Sequence, residues 1–310
     1  MNTYLRTFVL AAALAAACLI SANLILDPYR IVHAPLGTTW FQPNSRVFKF
    51  EYLYRHCADY NTYIVGDSRA HILSESDFQN TSGLHIYNFA SPRDEIISIV
   101  RRLKLLIRAN CPISAILVGE SVDILRYGQA PSLLDTESPY VSGESRVGFY
   151  GKFFFSSQPL IRYASQAGSD DPFHFAYYPD GHVDYLWRMK SPADFAATAC
   201  RPPQLSASAR SLLFEKLPAY RELADLAVRN RFRAIVWITP FNQRKSAVFD
   251  DTDVQSFLVQ LRAIPHLSVI GPERQSPLLA DFRAWTDCMH FRQVVFDELV
   301  APAVEKLLVQ

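Results

Sequence analysis

At 310 residues, 49% hydrophobic and 20% charged, the chain can bury one sizeable core and carry additions to it. Its 31 basic and 30 acidic side chains leave a formal charge of +1, which removes any bulk electrostatic case for nucleic acid. Nothing repeats, and no low-complexity stretch is long enough to suggest disorder.

Residues 7–26 contain no charge and follow Arg6. About 20 such residues suffice to span a bilayer, and a basic residue ahead of them favours an N-terminus inside and the remainder outside. A retained signal anchor is the leading reading. A cleaved signal peptide competes, though no clean small-x-small site precedes Asn23, and so does a lipoprotein processed at Cys18, though Ala15 stands where Leu is expected. Asp27-Pro28-Tyr29 ends the apolar run. Residues 30–60 read as a connecting arm, with turn signals at 33–37 and 42–44 and with Phe48, Phe50, Tyr52, Leu53 and Tyr54 docking on the main domain.

The stretch Tyr63-Ile64-Val65-Gly66-Asp67-Ser68-Arg69-Ala70 reads as a buried strand, a tight turn and a serine at the strand's C-terminal end, followed by a helix-compatible segment. In open parallel sheets that edge binds ligands, and N–H groups of the next helical turn can stabilise an oxyanion. Taken alone, Gly-Asp-Ser is weak evidence and suits a capping serine in a strand–helix turn better. Residues 84–89 are a second strand and 115–119 a third. Between them, 94–108 is helical, with Ile96, Ile97, Val100, Leu103, Leu106 and Ile107 on one face and Arg101, Arg102 and Lys104 on the solvated one.

Alternation breaks down over about 124–203, which is rich in aromatics and turn residues. It reads as an insertion over the C-terminal edge of the sheet, a lid or substrate platform, although a local aromatic core fits the same composition. His174 and His182 lack companions at ligand spacing, so no metal is expected. A helix over 206–230, a strand over 232–238, a helix over 254–264 and a short strand over 267–270 follow. Asn242, just past the fourth strand, faces the Ser68 edge as a substrate contact or a turn cap. Asp287-Cys288-Met289-His290 then precedes a final helix over 294–308. A carboxylate three residues before a histidine can orient the ring while its other nitrogen takes a serine proton.

Ser68 on the first strand and Asp287-x-x-His290 in the last loop form the ordered pair that marks the SGNH (GDSL-like) hydrolase superfamily, which the chain resembles from about residue 60 to its end. The resemblance implies a flavodoxin-like three-layer α/β/α sandwich with a parallel sheet, preceded by the N-terminal transmembrane helix and carrying the aromatic-rich insertion. On this reading 1–29 is the membrane anchor, 30–60 the arm and 61–310 the α/β domain. The resemblance makes Ser68 the nucleophile, His290 the general base and Asp287 its orienting acid, with no cofactor. The family's second block supplies a Gly N–H to the oxyanion hole; here Tyr87-Asn88-Phe89-Ala90-Ser91-Pro92 has no Gly, so the Ala90–Ser91 loop is the substitute candidate. Its third block, usually Gly-x-Asn-Asp, reads Gly119-Glu120-Ser121-Val122-Asp123.

The likeness is greatest to membrane-anchored envelope members, such as teichoic acid D-alanyl transfer and alginate O-acetyltransferase accessory proteins. It implies an acyl-esterase or O-acyltransferase, most plausibly acetyl-specific, acting on an envelope polysaccharide from the periplasmic side of a bacterial inner membrane, with a membrane-bound O-acyltransferase as partner. A non-catalytic glycan-binding subunit and a lipid or thioester hydrolase are the alternatives. Four cysteines lie outside the anchor. In a flavodoxin-like sheet the first and third strands are neighbours, so Cys57 and Cys111, each a few residues before one of them, are expected to emerge side by side and form a disulfide; two buried thiols are the alternative.

Overall fold

Most core strands are short runs rich in β-branched and aromatic residues that the structure buries on both faces, as parallel strands require, and only the last, Leu267–Ile270 at the sheet edge, is largely half-buried. The computed structural model describes residues 3–78, 83–122, 132–168, 175–185, 207–272 and 274–309. Phe173, His174, Trp187 and Cys200 lie outside them. In chain order the elements are α1 (Thr3–Leu26), β1 (Thr38–Trp40), α2 (Ser45–His56), β2 (Thr62–Gly66), β3 (Ile86–Asn88), α3 (Ile96–Arg108), β4 (Ala115–Glu120), α4 (Pro139–Ser142), α5 (Arg146–Phe154) and α6 (Gln158–Ala167). They continue with β5 (Phe175–Tyr177), β6 (Val183–Tyr185), α7 (Ala207–Glu215), α8 (Leu217–Asn230), β7 (Arg233–Ile238), α9 (Thr252–Arg262), β8 (Leu267–Ile270), α10 (Gln293–Leu299) and α11 (Ala301–Val309).

β2, β3, β4, β7 and β8 form a parallel sheet in the order β3-β2-β4-β7-β8. Side chains alternate between its faces: Tyr63 and Val65 of β2 join one core with α3, α8 and α9, while Ile64 joins a second core with α10 and α11. The chain is thus an α/β protein with a five-stranded parallel sheet and an N-terminal apolar helix. α1 is long and apolar enough to cross a membrane, with a mean hydropathy of 2.4, a property that signal sequences share.

Within the segment read as an arm, α2 starts where the Asn44 side chain accepts from the Val47 N–H at 3.1 Å, and it buries Phe50 and Leu53 in the main core. β1 pairs antiparallel with β5, and β5 with β6. This small sheet abuts the 3-10 turn Ala70–Ile72 just past Ser68. The turn after β5 meets β3, where the Asn88 N–H donates to the Asp180 carbonyl at 2.7 Å.

Several expectations need correction. The helix read over 206–230 breaks at Lys216, and the final one breaks at Val300. In each case a proline two residues further on (Pro218, Pro302) has no N–H to continue the ladder. The segment after Ser68 forms two 3-10 turns, Ala70–Ile72 and Glu75–Asp77, because the Ser74 N–H takes the Asp77 carboxylate as partner and closes a capping box there. Arg102, read as solvated, is fully buried: it pairs with Asp94 and lies over the Phe89 ring at 5.3 Å, while Ile97 is exposed. The expected Cys57–Cys111 disulfide, by contrast, is present, the two Cα atoms 5.4 Å apart.

Candidate active site

β2 ends at Gly66, whose φ of +126° turns the chain so that Ser68 stands above the sheet edge. The backbones of Gly66 and Gly119 pass so close that a Cβ on Gly66 would lie 1.9 Å from the Gly119 carbonyl oxygen, and one on Gly119 would lie 2.6 Å from the Ala70 Cβ. Glycine is required at both positions. Together they let the Ser68 turn settle onto the end of β4.

The loop carrying Asp287 and His290 is pinned from below. Trp285 and Phe291 pair across its base, both buried, and Phe291 packs edge-on against Trp237 of β7 with ring centroids 5.6 Å apart. The Thr286 N–H and hydroxyl both donate to the His290 carbonyl, at 2.9 and 3.0 Å. Asp287 Oδ1 accepts from the Met289 and His290 N–H groups, each at 2.7 Å, leaving Oδ2 to meet His290 Nδ1 at 2.6 Å. Burial alone would raise the Asp287 carboxyl, but the His290 ring and these N–H groups outweigh it and hold the group well below the usual carboxylate range. His290 Nε2 lies 2.8 Å from Ser68 Oγ. Ser68, His290 and Asp287 therefore form one continuous hydrogen-bonded chain across 222 residues of sequence.

Arg69, which carried no role in the sequence reading, ties the two halves together. Its Nε donates to the Met289 carbonyl at 2.8 Å, and its Nη1 to Asp67 Oδ2 at 3.1 Å and to the Thr239 hydroxyl at 3.4 Å. The guanidinium sits 4.7 Å over the Phe241 ring, 3% exposed. One buried cation thus joins the Ser68 turn, the histidine loop and the end of β7. The available signal was a charge placed directly after the serine in a stretch otherwise patterned for burial.

Loop 89–95 is fixed just as firmly. The Ala90 N–H donates to Asn88 Oδ1 and the Ser91 N–H to the Gly66 carbonyl, each at 2.9 Å, so both N–H groups of the loop considered alongside the Ser68 N–H for the oxyanion are committed within the fold. Lys49, fully buried, donates to the Ala90 carbonyl at 2.9 Å, and burial pushes its ammonium well below its usual value against the pull of Asp180 and Asp94. Two buried donors near this rim have no partner among the described residues, the Ser91 hydroxyl and Asn242 Nδ2. The Asn242 Oδ1 meanwhile accepts the Arg244 N–H at 3.1 Å, the turn cap anticipated for it.

Beneath the rim, Glu120 ends β4 and faces Lys216 at 3.3 Å. Burial pushes its carboxyl up to about 7, opposed by Lys216 and assisted by Asp67. Cys288, inside the Asp287–His290 loop, is disulfide-bonded. His182 pairs with Asp180 at 2.5 Å and stacks on Tyr178, an arrangement that uses the ring structurally. Among the described residues no group of three or more His, Cys, Asp or Glu is placed to hold a metal ion.

The chain matches no protein-family model, no curated protein and no solved structure.

Proposed function

We propose that the protein is a membrane-anchored serine acyl-esterase or O-acyltransferase of the SGNH type, acting on an acylated, most plausibly acetylated, envelope polysaccharide. The observation that carries this reading is the Ser68–His290–Asp287 chain, with contacts of 2.8 and 2.6 Å. His290 Nε2 takes the Ser68 proton as Oγ attacks the acyl carbonyl, and returns it to the leaving hydroxyl. Asp287, held ionised, fixes the Nδ1–H tautomer. Water then releases the acyl group in an esterase, or a glycan hydroxyl accepts it in a transferase. With the Ala90 and Ser91 N–H groups committed, the oxyanion falls to the Ser68 N–H, with the buried Ser91 hydroxyl and Asn242 amide as the candidate second donors.

The strand order supports a flavodoxin-like sheet: the second core strand at one edge, then the first, third, fourth and fifth. A retained anchor is supported by Asn23 of α1, whose amide donates to the Phe154 and Ser156 carbonyls at 3.0 and 2.9 Å, bonds that cleavage would forfeit. The domain then lies outside the cytoplasm, where a membrane-bound O-acyltransferase would supply the acyl group.

The committed Ala90 and Ser91 N–H groups favour one second reading, a glycan-binding subunit that keeps the fold without turnover. Full-length protein assayed on O-acetylated polysaccharide and on a small acetyl ester separates the two. The enzyme reading expects acetyl release or transfer that Ser68→Ala abolishes. A Ser68→Ala chain that fully supports polysaccharide modification in cells selects the subunit.

A further inference from the structure

We infer that the end of α5 and the start of α6 form a lipid-facing surface beside α1, so that the domain rests on the bilayer instead of swinging from a tether. The inference rests on α1 being retained as a membrane span.

The 24 residues of α1 measure about 36 Å at 1.5 Å per residue, against a hydrocarbon core of about 30 Å. Only about four residues therefore project beyond the apolar layer. The domain nevertheless covers one face of α1 well below that level: Ala16, Leu19, Ile20, Ala22 and Leu26 are partly covered, and Asn23 is 1% exposed. The elements that pack there are α5 and α6. Asn23 fixes their height, because its amide holds the Phe154 and Ser156 carbonyls at the C-terminal end of α5, where a helix leaves carbonyls without intrahelical partners.

Phe155 sits between those two carbonyls and is 65% exposed, as is Ile161 at the start of α6. On α1 itself, Ile25 is 78% exposed at the same level. In water these side chains would be exposed apolar surface; at the level of Asn23, where α1 leaves the hydrocarbon, they meet the headgroup–acyl boundary, where their burial is favourable. No slack follows the span. The Asp27 carboxylate accepts the N–H groups of Ile31, Val32 and His33 at 2.8, 2.9 and 2.8 Å, so the chain folds back at once.

The test uses the full-length chain, Cys18→Ala, in phosphatidylcholine–phosphatidylglycerol vesicles, with an NBD probe on Phe155→Cys, on Ile161→Cys or, as reference, on Val259→Cys. Val259 lies on α9, which packs against α7, α8 and β8, and is 63% exposed. Probes at 155 and 161 are expected to emit to the blue of the reference. Lipids spin-labelled near the headgroup should quench them at least about twofold more strongly than the reference. Vesicles that float with the protein while all three probes behave alike would overturn the inference and leave the anchor standing. Blue-shifted but unquenched probes at 155 and 161 would assign this surface to a second copy or another protein, and overturn the inference equally. Protein that sheds α1 and fails to float would remove the anchor reading and this one with it.

Discussion

Arg69→Met tests whether the buried cation organises the site. Arg69 is 3% exposed and Asp67 is 1% exposed, with 3.1 Å between their charged groups. Methionine fills a similar volume but takes the counter-charge from a carboxylate that water cannot reach. Removing one partner of such a pair costs about 3–5 kcal/mol, most of it the penalty on the charge left behind. In a domain of this size that corresponds to a fall in Tm of roughly 10 °C. Asp67→Asn removes the stranded charge, so the double variant should recover part of the loss, with a coupling above about 1 kcal/mol. Arg69→Lys keeps the charge but lacks the planar fork that reaches Asp67 and the Met289 carbonyl together, and should fall between wild type and Arg69→Met. The assay is thermal unfolding of the five full-length proteins (wild type, Arg69→Met, Asp67→Asn, the double variant and Arg69→Lys) in detergent. An Arg69→Met chain within about 1 kcal/mol of wild type, with additive single effects, would refute the reasoning.

Asp287→Asn should lower kcat about 10⁴-fold with little change in melting temperature: an Asn oxygen can still accept the Met289 and His290 N–H groups, but its amide then faces Nδ1 and imposes the wrong tautomer. Glu120 predicts a pH dependence of stability. The unfolded carboxyl titrates near 4.5 and the folded one at about 7, so stability should fall as pH rises through that window, by on the order of 3 kcal/mol, and level off above it. Denaturant titrations from pH 4 to 8 should find that slope absent in Glu120→Gln. Cys57→Ser/Cys111→Ser releases a loop with a sequence separation of 54 and should cost about 4 kcal/mol on the chain-entropy account, measured by the same titrations.

The parallel sheet was legible because each core strand is a short, locally bounded run of apolar residues. The two halves of the triad were legible because Gly66-Asp67-Ser68 and Asp287-x-x-His290 are themselves local patterns. The helix breaks were missed, although Pro218 and Pro302 inside otherwise helical periodicity carry their signal. What local pattern cannot supply is a partner. Lys49, Arg69 and Arg102 look like solvated charges in one dimension. Each is buried because a carbonyl or carboxylate arrives from elsewhere: Ala90, Met289 and Asp94 in turn. The Ala90–Ser91 loop failed as a source of backbone donors for the same reason, because the Gly66 carbonyl that takes the Ser91 N–H belongs to another strand. α2 carried a readable start in Asn44 ahead of an aromatic run, but turn residues on its N-terminal side masked it.

The central claim is that Ser68 is an activated nucleophile. Full-length protein treated with an alkyl fluorophosphonate and digested for mass spectrometry tests it directly. A single adduct is expected, on the peptide carrying Ser68, lost in Ser68→Ala and strongly slowed in His290→Ala. A folded protein that takes up no probe, or one whose adduct survives Ser68→Ala, would contradict it.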